Sequence, residues 1–199
     1  SKYYPYTDKE ALQVLDDYAG HDYPLDNIVI DTDWRTDVNG WGYDVNTKLF
    51  PDMKGFLAKV HAQNVDVMFN DHPEPVDGAN VFDPKEIAYR ERSLQQLLDI
   101  GLDTWWYDRN WLTALVSPTK GIKCETLGMY LFYDITKHFY QKQSGNNEIY
   151  RRPDIMANVD NIANGTYVSI NSSASHRYPM QWTGDILSDE GDLAQEVHN

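Results

Sequence analysis

The chain has 199 residues, with 31 acidic against 17 basic side chains and a formal net charge of −14. No Lys/Arg cluster is available to displace counterions from phosphates, so the charge argues against nucleic acid and against an anionic membrane surface as partners. No apolar run approaches the ~18 residues that span a bilayer, the N-terminal SKYYPYTDKE has no hydrophobic signal core, and Cys124 is the only cysteine, which excludes an intrachain disulfide and a cysteine-rich zinc site.

Short apolar runs alternate with amphipathic stretches, the pattern of repeated strand–helix units and a parallel sheet. A first helix is expected over Asp8–Ala19, with Thr7 as N-cap and Glu10 completing a capping box. Asn27–Asp31 reads as a buried strand and is followed by a Gly- and aromatic-rich loop from Arg35 to Pro51. Met53, Phe56, Leu57 and Val60 share one face of a second helix near Asp52–Gln63, and Val65–Asn70 is the next strand. A third helix opens at Asp83-Pro84-Lys85-Glu86, an acidic N-cap with proline at the first helical position and glutamate at the third, and stops at Gly101. Asp103–Tyr107 is a strand leading into Asp108, a fourth helix covers roughly Glu125–Gln143, and further strands are expected at Asp154–Asn158 and Pro179–Gly184.

These strands end near positions 31, 70, 107, 158 and 184, with no G-x-G-x-x-G fingerprint or phosphate loop after any of them. Five β/α units of nearly forty residues fit an α/β fold of the (β/α)₈ TIM-barrel type, of which a complete example needs ~250 residues. The expectation is therefore one fragment, residues 1–199, of a single catalytic barrel domain, spanning about strands 2 to 6 and truncated at both ends.

Reactive groups of such barrels project from the carboxyl ends of the strands. Those ends carry Asp31 and Asp33, then Asp71 and His72, then Asp108, then Asn158 and Asp160, then Asp185. One acid after a strand is ordinarily a helix cap, but five in phase call for a cation or a cationic transition state. Barrel metallohydrolases bring several histidines. Here His72 is the only one at an expected strand end, so no metal and no cofactor are expected. Paired carboxylates acting on an oxocarbenium-like transition state remain. Asp108 follows Trp105-Trp106-Tyr107 and Asp185 follows Trp182-Thr183-Gly184, so each acid stands beside an aromatic that could wall a sugar ring. Six Trp and fourteen Tyr suit that use, the alternative being that these rings pack the core and rim.

Four stretches resemble the catalytic barrel of glycoside hydrolase family 31, the retaining α-glucosidases, α-xylosidases, α-galactosidases and related transglycosylases. They are Asp31-Thr32-Asp33-Trp34, Leu49-Phe50-Pro51-Asp52, Trp105-Trp106-Tyr107-Asp108-Arg109-Asn110, and the segment from His176 to Asp185. The resemblance implies Asp108 as nucleophile, Asp185 as general acid/base, Asp33 as the acid gripping distal hydroxyls in the −1 subsite, and Trp106 and Trp182 as its aromatic walls. Arg109 and Asp71 are further sugar-contacting positions on this reading, with Arg109 favouring the ionised form of the adjoining Asp108.

The expected activity is that of an exo-acting retaining α-glucosidase on an α-linked oligosaccharide or glycoside. Arg109 stands where the family often has a small or thioether residue, and Asp71-His72-Pro73 replaces a more usual Asp-Pro run. These departures keep α-galactosidase or α-glucosyl transferase activity as the alternative. A non-catalytic sugar-binding or structural barrel piece is the alternative of another class. The remaining barrel strands and domains of a parent enzyme would be the partners that complete the pocket, and the isolated chain is expected to have little activity.

Overall fold

The computed structural model of the chain describes residues 3–37, 42–76, 80–108, 118–120, 124–145, 150–157, 180–182 and 190. Among these residues five strands, β1 (Asn27–Ile30), β2 (Asp66–Asp71), β3 (Thr104–Tyr107), β4 (Ile155–Ala157) and β5 (Met180–Gln181), form one sheet in sequential order. Every neighbouring pair is parallel. Helices α1 (Asp8–Gly20), α2 (Met53–His61), α3 (Pro84–Asp99) and α4 (Cys124–Gln143) supply the layer packed against it. Among the described residues no helix is long and apolar enough to cross a membrane.

Local chemistry sets the helix boundaries. Thr7 accepts from the Glu10 amide while the Glu10 carboxylate accepts from the Thr7 amide at 2.8 Å, the reciprocal box that starts α1. Asp52 and Asp83 cap α2 and α3, accepting from the amides of Gly55 and Lys85 at 2.9 Å each. α3 ends through Gly101, whose φ of +113° is open to glycine and strained for other residues. Glu86, expected as an ordinary first-turn acid, is fully buried instead: it pairs with Arg90 one turn on and accepts from the Val76 amide at 2.7 Å.

The core lies between the helices and one face of the sheet. Ile28 and Ile30, Val67 and Phe69, Trp105 and Tyr107, Ile155 and Ala157 alternate along their strands and all join the apolar cluster. Phe132 of α4 meets both Trp105 and Tyr107 edge-on, with ring centroids 5.8 and 5.0 Å apart. The alternate residues, among them Asn70, Trp106, Met156 and Met180, share one level of the opposite face through the registers Asn70↔Trp106, Trp106↔Met156 and Met156↔Met180.

The amino ends of the strands are held by Asp103. Its carboxylate accepts from His61 Nε2 (2.7 Å), the Val67 amide (2.8 Å) and Arg151 Nη1 (2.7 Å), and its carbonyl accepts from the Tyr140 hydroxyl (2.7 Å). Arg151 also pairs with Asp66. The imidazole and carboxylates of His61, Asp66 and Asp103 converge closely enough for a cation, but the Arg151 guanidinium already bridges the two acids.

Tyr107 precedes Asp108, and its hydroxyl packs so tightly on α4 that a methyl group on Gly128 would overlap it. Because Tyr107 is only 1 % exposed, the ring has nowhere to swing. Gly128→Ala is expected to destabilise the protein by about 1–3 kcal/mol, the usual cost of overpacking. A urea melt with an unchanged slope and a lowered midpoint is the outcome that checks it.

Candidate active site

The site is built where β1, β2 and β3 end. Asp108 directly follows β3, its amide donating to the Asp71 carbonyl at 2.9 Å so that the β2–β3 ladder runs on to this residue. The carboxylate is 6 % exposed, and its Oδ2 lies 3.1 Å from both Asn70 Nδ2 and His72 Nε2. Asn70 is itself fixed from behind, because its carbonyl accepts from the Trp34 indole at 2.7 Å.

Asp31 is the second acid of this cluster. It caps the 3₁₀ turn Thr32–Trp34, accepting from the Thr32 amide at 2.9 Å. Burial raises its pKa; the Thr32 amide and the His72 charge oppose that rise, and the charges of Asp108 and Asp33 add to it. For Asp33, the residue expected to grip the sugar, burial alone raises the pKa. The carboxylate whose charge interacts with that of Asp108 is Asp31, two residues before Asp33. Its signal in the sequence was its place as the first residue after β1, ahead of the turn that displaces Asp33.

Asp71 sits fully inside the protein. Arg35 Nη1 donates to its Oδ1 at 2.8 Å and the Tyr43 hydroxyl donates to its Oδ2. Arg90 Nη1 donates to the Tyr43 oxygen at 2.7 Å and Glu86 closes the chain by pairing with Arg90. Burial holds the Tyr43 phenol well above its ordinary pKa, so it keeps the proton that it donates to Asp71. Both carboxylate oxygens of Asp71 are therefore occupied by protein groups, and its place is beneath the loops rather than facing a ligand.

Trp106 faces the sheet side opposite the core and meets Trp182 edge-on, with centroids 4.8 Å apart and planes at 85°. Its indole Nε1 is buried and has no acceptor among the described residues. Trp182 is tied to β4 by its amide, which donates to the Ala157 carbonyl at 3.0 Å. The two expected wall residues thus stand together, one position-pair below Asp108. Asp185 and Arg109 lie outside the described residues, as do Asn158 and Asp160.

A parallel β/α sheet with carboxylates and paired indoles at its carboxyl end is the arrangement of part of a β/α barrel. Residues 1–84 match the profile described as "Glycosyl hydrolases family 31 TIM-barrel domain". No curated protein matches the chain. Among solved structures, the family 31 α-xylosidase of Xanthomonas citri is similar over all of this chain and 25 % of its own, with a TM-score of 0.63 and 17 % identity. A family 31 α-xylosidase from a soil metagenome, complexed with xylose, matches over 96 % of this chain and 32 % of its own, at TM-score 0.61 and 15 % identity. A family 31 sulfoquinovosidase from E. rectale, in complex with an aza-sugar inhibitor, covers 76 % of this chain and 29 % of its own, at TM-score 0.52 and 13 % identity. The family 31 likeness thus rests on residues 1–84, and over its whole length the chain shares the fold of part of a family 31 TIM barrel. It spans a quarter to a third of the length of these structures.

Two substitutions separate the roles of the buried acids. Asp71→Leu removes the acceptor of Arg35 and Tyr43 and leaves a guanidinium buried without its counter-charge, an expected loss of about 3–5 kcal/mol in chemical denaturation. Asp31→Asn should do the reverse at neutral pH. A carboxyl whose folded pKa is raised carries no penalty below its ordinary value, about 4; the penalty develops as pH rises through that value and is complete above the folded pKa. Asparagine still caps the turn, so the variant is expected to melt higher than wild type at pH 7, with the gain vanishing towards pH 3.5.

Proposed function

We propose that the chain carries the nucleophile side of a retaining, exo-acting α-glycosidase, with an α-glucoside as the leading substrate. The observation that carries the proposal is the Asp108 carboxylate at the end of β3, held by two donors and flanked by Asp31 and by Trp106 with Trp182. A sugar needs that combination: indoles for its C–H faces, carboxylates for its hydroxyls and for the positive charge that gathers at C1.

In the proposed reaction an oxygen of Asp108 forms a bond to the anomeric carbon as the glycosidic C–O bond breaks. The electron pair passes to the leaving oxygen, which takes a proton from Asp185. Water then attacks the same carbon from the opposite face, gives its proton to Asp185 and restores the Asp108 carboxylate. Asp31, with Asp33 beside it, would hold the distal hydroxyls, while Trp106 and Trp182 line the ring. Asp71 would act at one remove, by fixing Arg35 and the loop that follows β1. Arg109 would complete the floor of the pocket, and the altered surroundings there keep α-galactoside hydrolysis and α-glucosyl transfer as the second reading. The pocket closes only with further strands of the same barrel domain, so the isolated chain would show little turnover.

The test uses the complete protein, nitrophenyl α-glucoside, α-galactoside and α-xyloside, and added azide. Asp108→Ala is expected to lower turnover by several orders of magnitude and to yield a β-glycosyl azide, the inverted product of direct attack. Asp185→Ala should spare the first step with an activated leaving group and yield an α-glycosyl azide. Products of the opposite configurations would exchange the two roles, and turnover of the galactoside alone would reverse the order of substrates.

A further inference from the structure

The β2–β3 register has a chemical consequence beyond the carboxylate itself. Asn70 pairs with Trp106 across parallel strands, so the residues two positions further on, His72 and Asp108, fall opposite each other on the same face. Their side chains meet there, His72 Nε2 lying 3.1 Å from Asp108 Oδ2. Asn70, one step down that face, reaches up to the same oxygen with its Nδ2, also at 3.1 Å. An ionised carboxylate only accepts hydrogen bonds, so the His72 nitrogen facing it carries a proton in either the neutral or the cationic ring.

We infer that Asn70 and His72 are positioning residues that clamp Oδ2 of Asp108 and orient its carboxylate for attack, an inference that rests on Asp108 being the nucleophile. Two donors at one oxygen fix the rotation of the carboxylate about its Cβ–Cγ bond. The bond to the anomeric carbon then forms through Oδ1, and Oδ2 becomes the carbonyl oxygen of the glycosyl ester. When water releases the sugar, the electron pair of the C1–Oδ1 bond returns to the carboxylate, and the same donors receive the restored charge. The clamp therefore acts in both half-reactions on the group that attacks and then leaves.

The two donors are supported differently. Asn70 is buried at 1 % exposure and is held through its backbone by Trp34, a rigid part of the strand. The His72 side chain is 27 % exposed, at the start of the loop after β2, where a substitution can be made without opening the core. Asp31 feels the His72 charge as well as that of Asp108, and the two act on it in opposite directions.

The experiment uses the complete protein and a 5-fluoro-α-glucosyl fluoride, whose leaving group needs little protonation and whose glycosyl ester persists. The rate of covalent labelling is followed by intact mass, and the labelled residue is found by peptide mapping. His72→Leu is expected to slow labelling of Asp108 by ~10–100-fold, the range for a hydrogen bond to a charged group, with the half-saturating concentration within about two-fold of wild type. His72→Gln, whose side-chain amide can place an N–H where Nε2 stood, should regain most of that loss. Labelling of Asp108 at the wild-type rate in His72→Leu, or equal losses in the Leu and Gln variants, would overturn the clamp and leave the nucleophile in place. Wild-type protein labelled at another residue, or not at all, would overturn the nucleophile assignment and the clamp with it.

Discussion

The register between β2 and β3 is the constraint on which the site depends. Val67, Phe69, Trp105 and Tyr107 are all driven to the helix-facing side, and each stabilises the fold by about 1.5–3 kcal/mol through burial. A slip of one residue in either strand would turn its large side chains away from the helices and its polar ones into the core. Hydrophobic packing thus sets the positions of residues that have no part in it. Asn70, His72, Trp106 and Asp108 face the other side because their neighbours must face this one.

Three acids end three of the strands, and each meets a different electrostatic outcome. Asp71 is neutralised inside the protein by Arg35, with Tyr43, Arg90 and Glu86 extending the network and balancing its charges. Asp108 has two donors directed at one oxygen. Asp31 is desolvated, feels the charge of Asp108 and accepts from the Thr32 amide of its own turn. Burial raises the pKa of Asp31, which stands at the open face. A group of like charges that the fold does not fully compensate is what a cationic transition state would stabilise.

Much of this was legible from local patterns. The capping box at Thr7 and Glu10, the Asp83-Pro84 start and the Gly101 stop depend on residues within a few positions of one another, and the structure follows them closely. The β/α alternation gave the parallel sheet, and counting strand ends brought the acids to one rim. What escaped was set by contacts distant in sequence. Glu86 has the position of a first-turn acid, and only the loop returning past Val76 makes it a buried partner of Arg90. Asp71 became a structural acid because Arg35 and Tyr43, from the loop after β1, close over it. His72 is a lone histidine at a strand end by local pattern, and only the Asn70↔Trp106 pairing places it opposite Asp108. Asp31 and Asp33 differ because Asp31 caps the 3₁₀ turn Thr32–Trp34 whereas Asp33 lies within it.

The two ends of the sheet divide stability from chemistry. At the amino ends Asp103 has its carboxylate and carbonyl met by His61, Val67, Arg151 and Tyr140, all from different parts of the chain. That end ties β2, β3, α2, α4 and the segment before β4 into one knot. At the carboxyl ends the burial of Asp31, the Trp106 indole N–H without an acceptor among the described residues, and the shared donors on Asp108 mark the polar rim of the sheet. A fold can tolerate such a face only if its strands are fixed elsewhere, since each uncompensated group there costs free energy. The Asp103 knot and the helix-side core are that fixture, and the rim is in consequence free to be arranged for a ligand rather than for itself.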